Sequence, residues 1–246
     1  EAINTINRSE DFTSGSFVSS ETTRGGQKLD ASMGKDTPIH GSVLVRVQGS
    51  DAGRVDVSAS NLNLSHTISR LPGENGENYS LAGGTIYVGD LGSLTLSGTN
   101  TIALNVENGR TYTDGGAFNA AIEASSLTID GGTTTVTASD DSAGSPSLAG
   151  IGVTGNLHLT NNASLVVNVS TVAVADPDSL LVSQGNDYYP YEMKAEGIVL
   201  LEGATIRTEA GTTLEVDVKS TAENSKAALT YALIVSEGSV FDGTTI

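Results

Sequence analysis

Three groups of residues in this chain have types that chemistry uses. Tyr188, Tyr189 and Tyr191 fall within four positions of one segment, in a chain with only seven Tyr. Flat phenol rings stack on sugar faces, and Tyr brings contact area with few rotors to freeze. These three are the candidate ligand-binding residues, for a glycan or a host or cell-surface protein. The competing expectation is that their segment folds back and covers the body of the molecule. The second group is acidic: Asp140-Asp141, and Asp176, Asp178 and Asp187. Clustered carboxylates hold Ca²⁺ or do general acid and base work. Here they lie in loops with Ser, Gly and Pro, where Asp ordinarily builds turns. Neither group has the spacing of a calcium-binding loop, so turn chemistry is the expectation. The third group is His40, His66 and His158, far apart in sequence. His158 lies between Leu157 and Leu159, so strand alternation points it outward into solvent.

Other routes to catalysis have no foothold. There is no Cys, which excludes disulfides, thiolate metal sites and a Cys nucleophile. Ser is plentiful, but no G-x-S-x-G turn stands between a strand and a helix. No catalytic residue, metal site or cofactor is therefore assigned, and the chain is read as non-enzymatic. Thr133-Thr134-Thr135-Val136-Thr137 and Thr212-Thr213 raise a flat Thr array of the ice-binding kind. The rows do not continue, and outward Thr is a good strand residue on a wet face.

The elements that position these residues are short and repeated. Ser93-Leu94-Thr95-Leu96, Ser126-Leu127-Thr128-Ile129 and Asn156-Leu157-His158-Leu159 each begin an apolar alternation. Each then meets a Gly/Asn/Asp corner and a second alternation. Leu94, Leu127 and Leu157 hold one place in the phrase, at separations of 127 − 94 = 33 and 157 − 127 = 30 residues. A fourth copy runs from Gly197-Ile198-Val199-Leu200 through Thr205-Ile206 to Leu214–Val218. Such a period predicts a solenoid, in which no unit buries its apolar face alone. Earlier alternations at Ser42–Val47, Arg54–Ala59 and Asn61–Leu64 put apolar residues on one strand face. No window shows a helical stripe with caps; the best helical candidate, Thr221–Leu229, is short and polar.

Composition agrees. Aromatic content is 4%, so core volume must come from Leu, Ile, Val and Ala, which suits a thin core repeated along an axis. Formal net charge is −17 with only 12 Lys+Arg, which leaves no basic footprint for nucleic acid and disfavours an anionic membrane surface. Acidity of this size keeps molecules soluble and apart. No apolar run of about 18 residues appears, so no membrane-inserting helix is expected. The chain opens on Glu1-Ala2-Ile3 without an initiating Met, as expected of a processed or trimmed fragment.

Two domains of unequal order follow. Residues 1–40 are the least regular and are read as an N-terminal cap or a partly disordered segment. Residues 41–246 are read as the repeat domain, with a long loop insertion at 175–195. Asn108–Asn119 and Ser139–Gly150 are read as further loops.

Gly92-Ser93-Leu94-Thr95-Leu96-Ser97-Gly98-Thr99-Asn100-Thr101 resembles the strand repeats of bacterial autotransporter-type passengers. Ser126–Thr133 with Ala149-Gly150-Ile151-Gly152 is similar to Gly-rich repeats in large surface proteins of gut bacteria. Tyr231-Ala232-Leu233-Ile234, with Gly238 and Phe241-Asp242-Gly243, looks like the closing turn of such solenoids. The resemblance covers roughly residues 80–246. It implies an all-β fold, a single-stranded right-handed parallel β-helix with irregular loops and end caps. It also implies export to the cell surface or outside the cell, and an adhesive or stalk role. It carries no catalytic residue across. The alternative on the same scaffold is a carbohydrate-binding module or a polysaccharide-lyase-like enzyme.

Overall fold

The computed structural model describes residues 2–3, 12–22, 29–37, 41–49, 54–69, 83–88, 92–107, 119–140, 147–171, 181–184, 187–190, 194–200, 203–220, 229–235, 237 and 240–243. The architecture is all-β, and every element among the described residues is a strand. In chain order they are β1 (Ala2–Ile3), β2 (Phe12–Thr22), β3 (Leu29–Thr37), β4 (Gly41–Gly49), β5 (Arg54–Ser69), β6 (Gly83–Val88), β7 (Ser93–Glu107), β8 (Asn119–Asp140) and β9 (Ser147–Thr160). Then come β10 (Ser164–Thr171), β11 (Leu181–Gln184), β12 (Asp187–Pro190), β13 (Lys194–Leu200), β14 (Thr205–Thr208), β15 (Thr213–Ser220), β16 (Leu229–Val235) and β17 (Val240–Gly243). Fifteen strands form one open sheet, and its pairings from β4 onward run parallel.

The repeats fall in register. Val57 pairs Leu94, Leu94 pairs Leu127, Leu127 pairs Leu157, Leu157 pairs Ile206, and Ile206 pairs Phe241. A second row runs Val45, Ile86, Ile122, Ile151, Ile198 and Leu233. A third runs Leu64, Ile102, Val136, Val167 and Val216. From Val45 to Ile206 every row member with a described side chain is buried, and these residues belong to one continuous apolar cluster. Unequal loops alter only the chain length between rungs. The step from Leu157 to Ile206 is 206 − 157 = 49 residues, yet the pairing matches that of Leu127 with Leu157.

Alternation explains why these segments are strands. β10 reads Ser-Leu-Val-Val-Asn-Val-Ser-Thr, with Leu165, Val167 and Val169 buried and the residues between them open to solvent. The corner after the first alternation needs left-handed backbone. Gly98, Gly131 and Gly132 take φ of 71°, 69° and 70°, and Asn161 and Asn162 take 54° and 57°. Gly and Asn bear that conformation at the least steric cost. The chain therefore bends between two faces at the same place in each rung.

Small residues mark a close approach of two faces. A Cβ on Gly150 would meet Val167 Cγ1 and the Gly197 carbonyl, and one on Gly197 would meet Val216 Cγ1 and the Ala232 carbonyl. Glycine stands at both positions because no side chain fits there.

Residues 1–40 include β1–β3; β2 pairs antiparallel with β5, and β3 pairs antiparallel with β4. Within the insertion at 175–195, residues 181–184 and 187–190 pair as antiparallel strands, and Lys194 and Ala195 belong to β13. Asn119, Ser139, Asp140 and Ser147–Gly150, expected in loops, lie in strands. The candidate helix at 221–229 has its first eight residues outside the described set, and Leu229 opens β16. Among the described residues no helix is long and apolar enough to cross a membrane.

Candidate functional site

The aromatic segment sits on the hairpin between β10 and β13. Its register pairs Leu181 with Pro190, Val182 with Tyr189, Ser183 with Tyr188, and Gln184 with Asp187. Tyr188 and Tyr189 are thus consecutive strand residues. Tyr191 lies outside the described residues. This hairpin forms a two-stranded sheet of its own, separate from the large one. It lies within the longest step between rungs, from Leu157 to Ile206.

The outer face carries a polar cluster that the sequence does not single out. His158 Nε2 lies 3.1 Å from Glu209 Oε1, and Thr160 Oγ1 donates to Glu209 Oε2 at 2.6 Å. His158 is partly exposed and lies outside the buried pair Leu157 and Leu159, as its alternation predicts. The hydrogen bond from Thr160, then His158 by hydrogen bond and charge, holds the Glu209 carboxyl below its ordinary value. Backbone bonds set the cluster. Glu209 N donates to Leu159 O at 3.0 Å, and Thr213 N donates to Ala163 O at 2.9 Å. The corner between β14 and β15 therefore stacks directly on the corner between β9 and β10. Both Glu209 oxygens are engaged by side chains of the rung below. That geometry clasps two rungs, and it does not hold a carboxylate ready to take a proton from a substrate.

Similar polar bridges cross other rungs. Asn161 Nδ2 donates to Asp130 Oδ1 at 2.5 Å, Ser139 Oγ to Asn105 Oδ1 at 2.9 Å, and Thr213 Oγ1 to Ser164 Oγ at 2.9 Å. Ser93 Oγ donates to Asp56 Oδ1. Each links residues 30 to 50 positions apart, which in-register parallel stacking brings together.

Two expectations about polar residues need correction. Asp140 does not lie in a loop. It is the last residue of β8 and is buried, in a row with Val106, Thr171 and Ser220. Asp141, Asp176 and Asp178 lie outside the described residues, and Asp187 opens β12. Thr134 does not face water either. It is fully buried beneath Asn100, whereas Thr133 is exposed and Thr135 and Thr137 are partly so. Alternation with Val136 and Ala138 places Thr134 on the inward face, and Asn100 supplies its partner there. Asn100 Oδ1 accepts from Leu62 N at 3.0 Å, and its Nδ2 donates to Ser97 O and Thr134 Oγ1, each at 3.1 Å. Buried polar atoms are stable when so paired.

Among the histidines, His66 is buried on the inward row with Leu104 and Ala138, and His40 lies outside the described residues. Among the described residues no three His, Cys, Asp or Glu side chains gather as a metal set.

No protein-family model, curated protein or solved structure matches the chain. Its function must be argued from its own residues.

Proposed function

We propose that this chain is a right-handed parallel β-helix that works without catalysis, as an exported surface stalk or adhesin segment. The row Val57–Leu94–Leu127–Leu157–Ile206–Phe241 carries this reading. One apolar position repeats rung on rung in parallel register, and polar bridges tie the rungs along the outside. A scaffold of this kind grows by addition of rungs and presents whatever its loops carry. Its handedness and its export follow the autotransporter-like phrases noted in the sequence.

The displayed element is the β11–β12 hairpin with Tyr188, Tyr189 and Tyr191, and its ligand is a glycan or a protein at a cell surface. Two features support this. The hairpin interrupts the rungs without disturbing their register, as a displayed appendage should. It also concentrates aromatic residues in a chain otherwise poor in them. The test is a glycan array and a panel of matrix proteins, probed with the chain and with the triple variant Tyr188→Ala, Tyr189→Ala and Tyr191→Ala. Binding that disappears in the variant supports display by the hairpin. Binding that survives moves the contact elsewhere, and silence throughout leaves a structural spacer.

A further inference from the structure

The hairpin of β11 and β12 is too small to stand alone. Each strand has four residues, and the two form a sheet apart from the large one. An isolated two-stranded sheet is marginally stable in water at best, and independent stability takes a third strand or a packing partner. Among the described residues no strand lies along either of its edges.

The two edges are not alike. Opposed residues of an antiparallel pair alternate between those whose amides face the partner and those whose amides turn away. Pro190 stands opposite Leu181 and has no N–H to give, so that pair is of the second kind. Two positions on, Ser183 and Tyr188 are of the second kind as well. The outer edge of β11 therefore offers the N–H and C=O of both Leu181 and Ser183. The outer edge of β12 offers both groups at Tyr188 but only a carbonyl at Pro190, and proline blunts an edge. Charge near the hairpin is of one sign. From 172 to 193 the chain carries Asp176, Asp178, Asp187 and Glu192 and no Lys or Arg.

We infer that the hairpin takes its partner by strand addition: an extended basic segment of another protein pairs with the outer edge of β11 and becomes the third strand. The inference rests on the reading of the hairpin as the displayed element, and it narrows the ligand to a peptide strand. In this mode main-chain hydrogen bonds supply affinity and alternate side chains supply specificity. Val182 and Gln184 share one face of the hairpin with Tyr189 and Asp187, and Leu181 and Ser183 share the other with Pro190 and Tyr188. Lys or Arg at alternate positions of the added strand falls on the Asp187 face, and Val, Ile or Leu between them falls on the Leu181 face. Opposite charges at neighbouring positions favour a pairing and like charges oppose it. A second copy of this chain is the poorer occupant, because it brings another −17 and the same acidic segment.

The test is fluorescence anisotropy at physiological salt, with the whole chain and a short labelled peptide that alternates lysine with valine. The peptide binds. The same peptide N-methylated on its backbone amides keeps its side chains and charge, and it binds at least about tenfold more weakly, about 1.4 kcal/mol. Ser183→Pro removes one edge amide without touching a bond inside the hairpin, and it weakens the unmodified peptide by a similar factor. Ser183→Ala keeps that amide and binds as the parent chain does. Equal binding of the N-methylated peptide overturns the inference, because charge attraction then accounts for the effect. So does undiminished binding to folded Ser183→Pro, or sedimentation showing that the chain self-associates and that Ser183→Pro disperses it. Tyrosine-dependent glycan binding with no peptide binding overturns strand addition and leaves the display reading standing. Silence from peptide, glycans and matrix proteins alike removes both.

Discussion

Asn100 and Thr134 lie one above the other inside the stack, on neighbouring parallel strands, with Nδ2 donating to Oγ1 at 3.1 Å. Asn100 also satisfies the Leu62 amide and the Ser97 carbonyl. One amide side chain therefore fastens three successive rungs at the bend. Replacing it leaves several buried polar groups without partners, each costing about 1–3 kcal/mol. Asn100→Leu is expected to destabilise the chain by about 2–4 kcal/mol, more than Thr134→Val, which strands only one donor. Urea unfolding of both variants checks the order. Equal and negligible effects would mean that the bend does not depend on Asn100.

The close approach at Gly197 gives a second expectation. An added methyl must displace Val216 or the Ala232 backbone, and overpacking of this kind costs about 1–3 kcal/mol. Gly197→Ala is expected to lower the melting temperature, and adding Val216→Ala should restore part of the loss by opening space. If the double variant is no better than the sum of its parts, the two faces are not in contact there.

Core truncation probes the stacked row itself. Leu127 is fully buried between Leu94 and Leu157. Leu127→Ala is expected to cost about 2–5 kcal/mol. The outward neighbour Thr128→Ala should cost less than about 0.5 kcal/mol, since it opens no cavity. Denaturant midpoints of the pair separate an inward position from an outward one.

The Glu209 clasp predicts a pH dependence. Its folded carboxyl is held below the ordinary value by Thr160 and then by His158. A depressed carboxyl contributes stability that is complete above its unfolded value and is lost as pH falls through the folded one. The clasp should therefore open on the acid side of the ordinary carboxylate range. Thr160→Val removes the leading cause, so the Glu209 carbon resonance should titrate at higher pH in that variant. An unchanged midpoint would contradict the hydrogen bond as the cause.

Much of the frame was legible because stacking imposes two simple periods. Strand alternation marked Leu165, Val167 and Val169 as inward, and the 33- and 30-residue separations placed Leu94, Leu127 and Leu157 in one row. The polar interior was not legible. Thr134 lies in a Thr-rich run that looks uniformly wet, yet it is in phase with the buried Val136 and Ala138, and Asn100 of the preceding rung supplies its polar partner. Asp140 was read as a turn residue because Asp, Ser and Gly follow it, although it sits in register with Val106. The Glu209 clasp was hidden for a similar reason. His158 and Glu209 are 51 residues apart and meet only when the insertion between them is looped out. The antiparallel pairings of β2 with β5 and of β3 with β4 had no sequence period to announce them.

The most direct measurement of parallel, in-register stacking is engineered disulfide formation, for which a chain without Cys is a clean background. Thr95 and Thr128 are register partners on adjacent strands, as are Thr128 and His158. Cysteines at such pairs stand about 5 Å apart between Cα atoms, within disulfide reach, whereas Thr95 and His158 are two strand spacings apart at about 9.5 Å. Rapid crosslinking is predicted for Thr95→Cys with Thr128→Cys and for Thr128→Cys with His158→Cys, and none for Thr95→Cys with His158→Cys. Failure of both adjacent pairs, or crosslinking of the distant pair at a comparable rate, would contradict the stacked rungs.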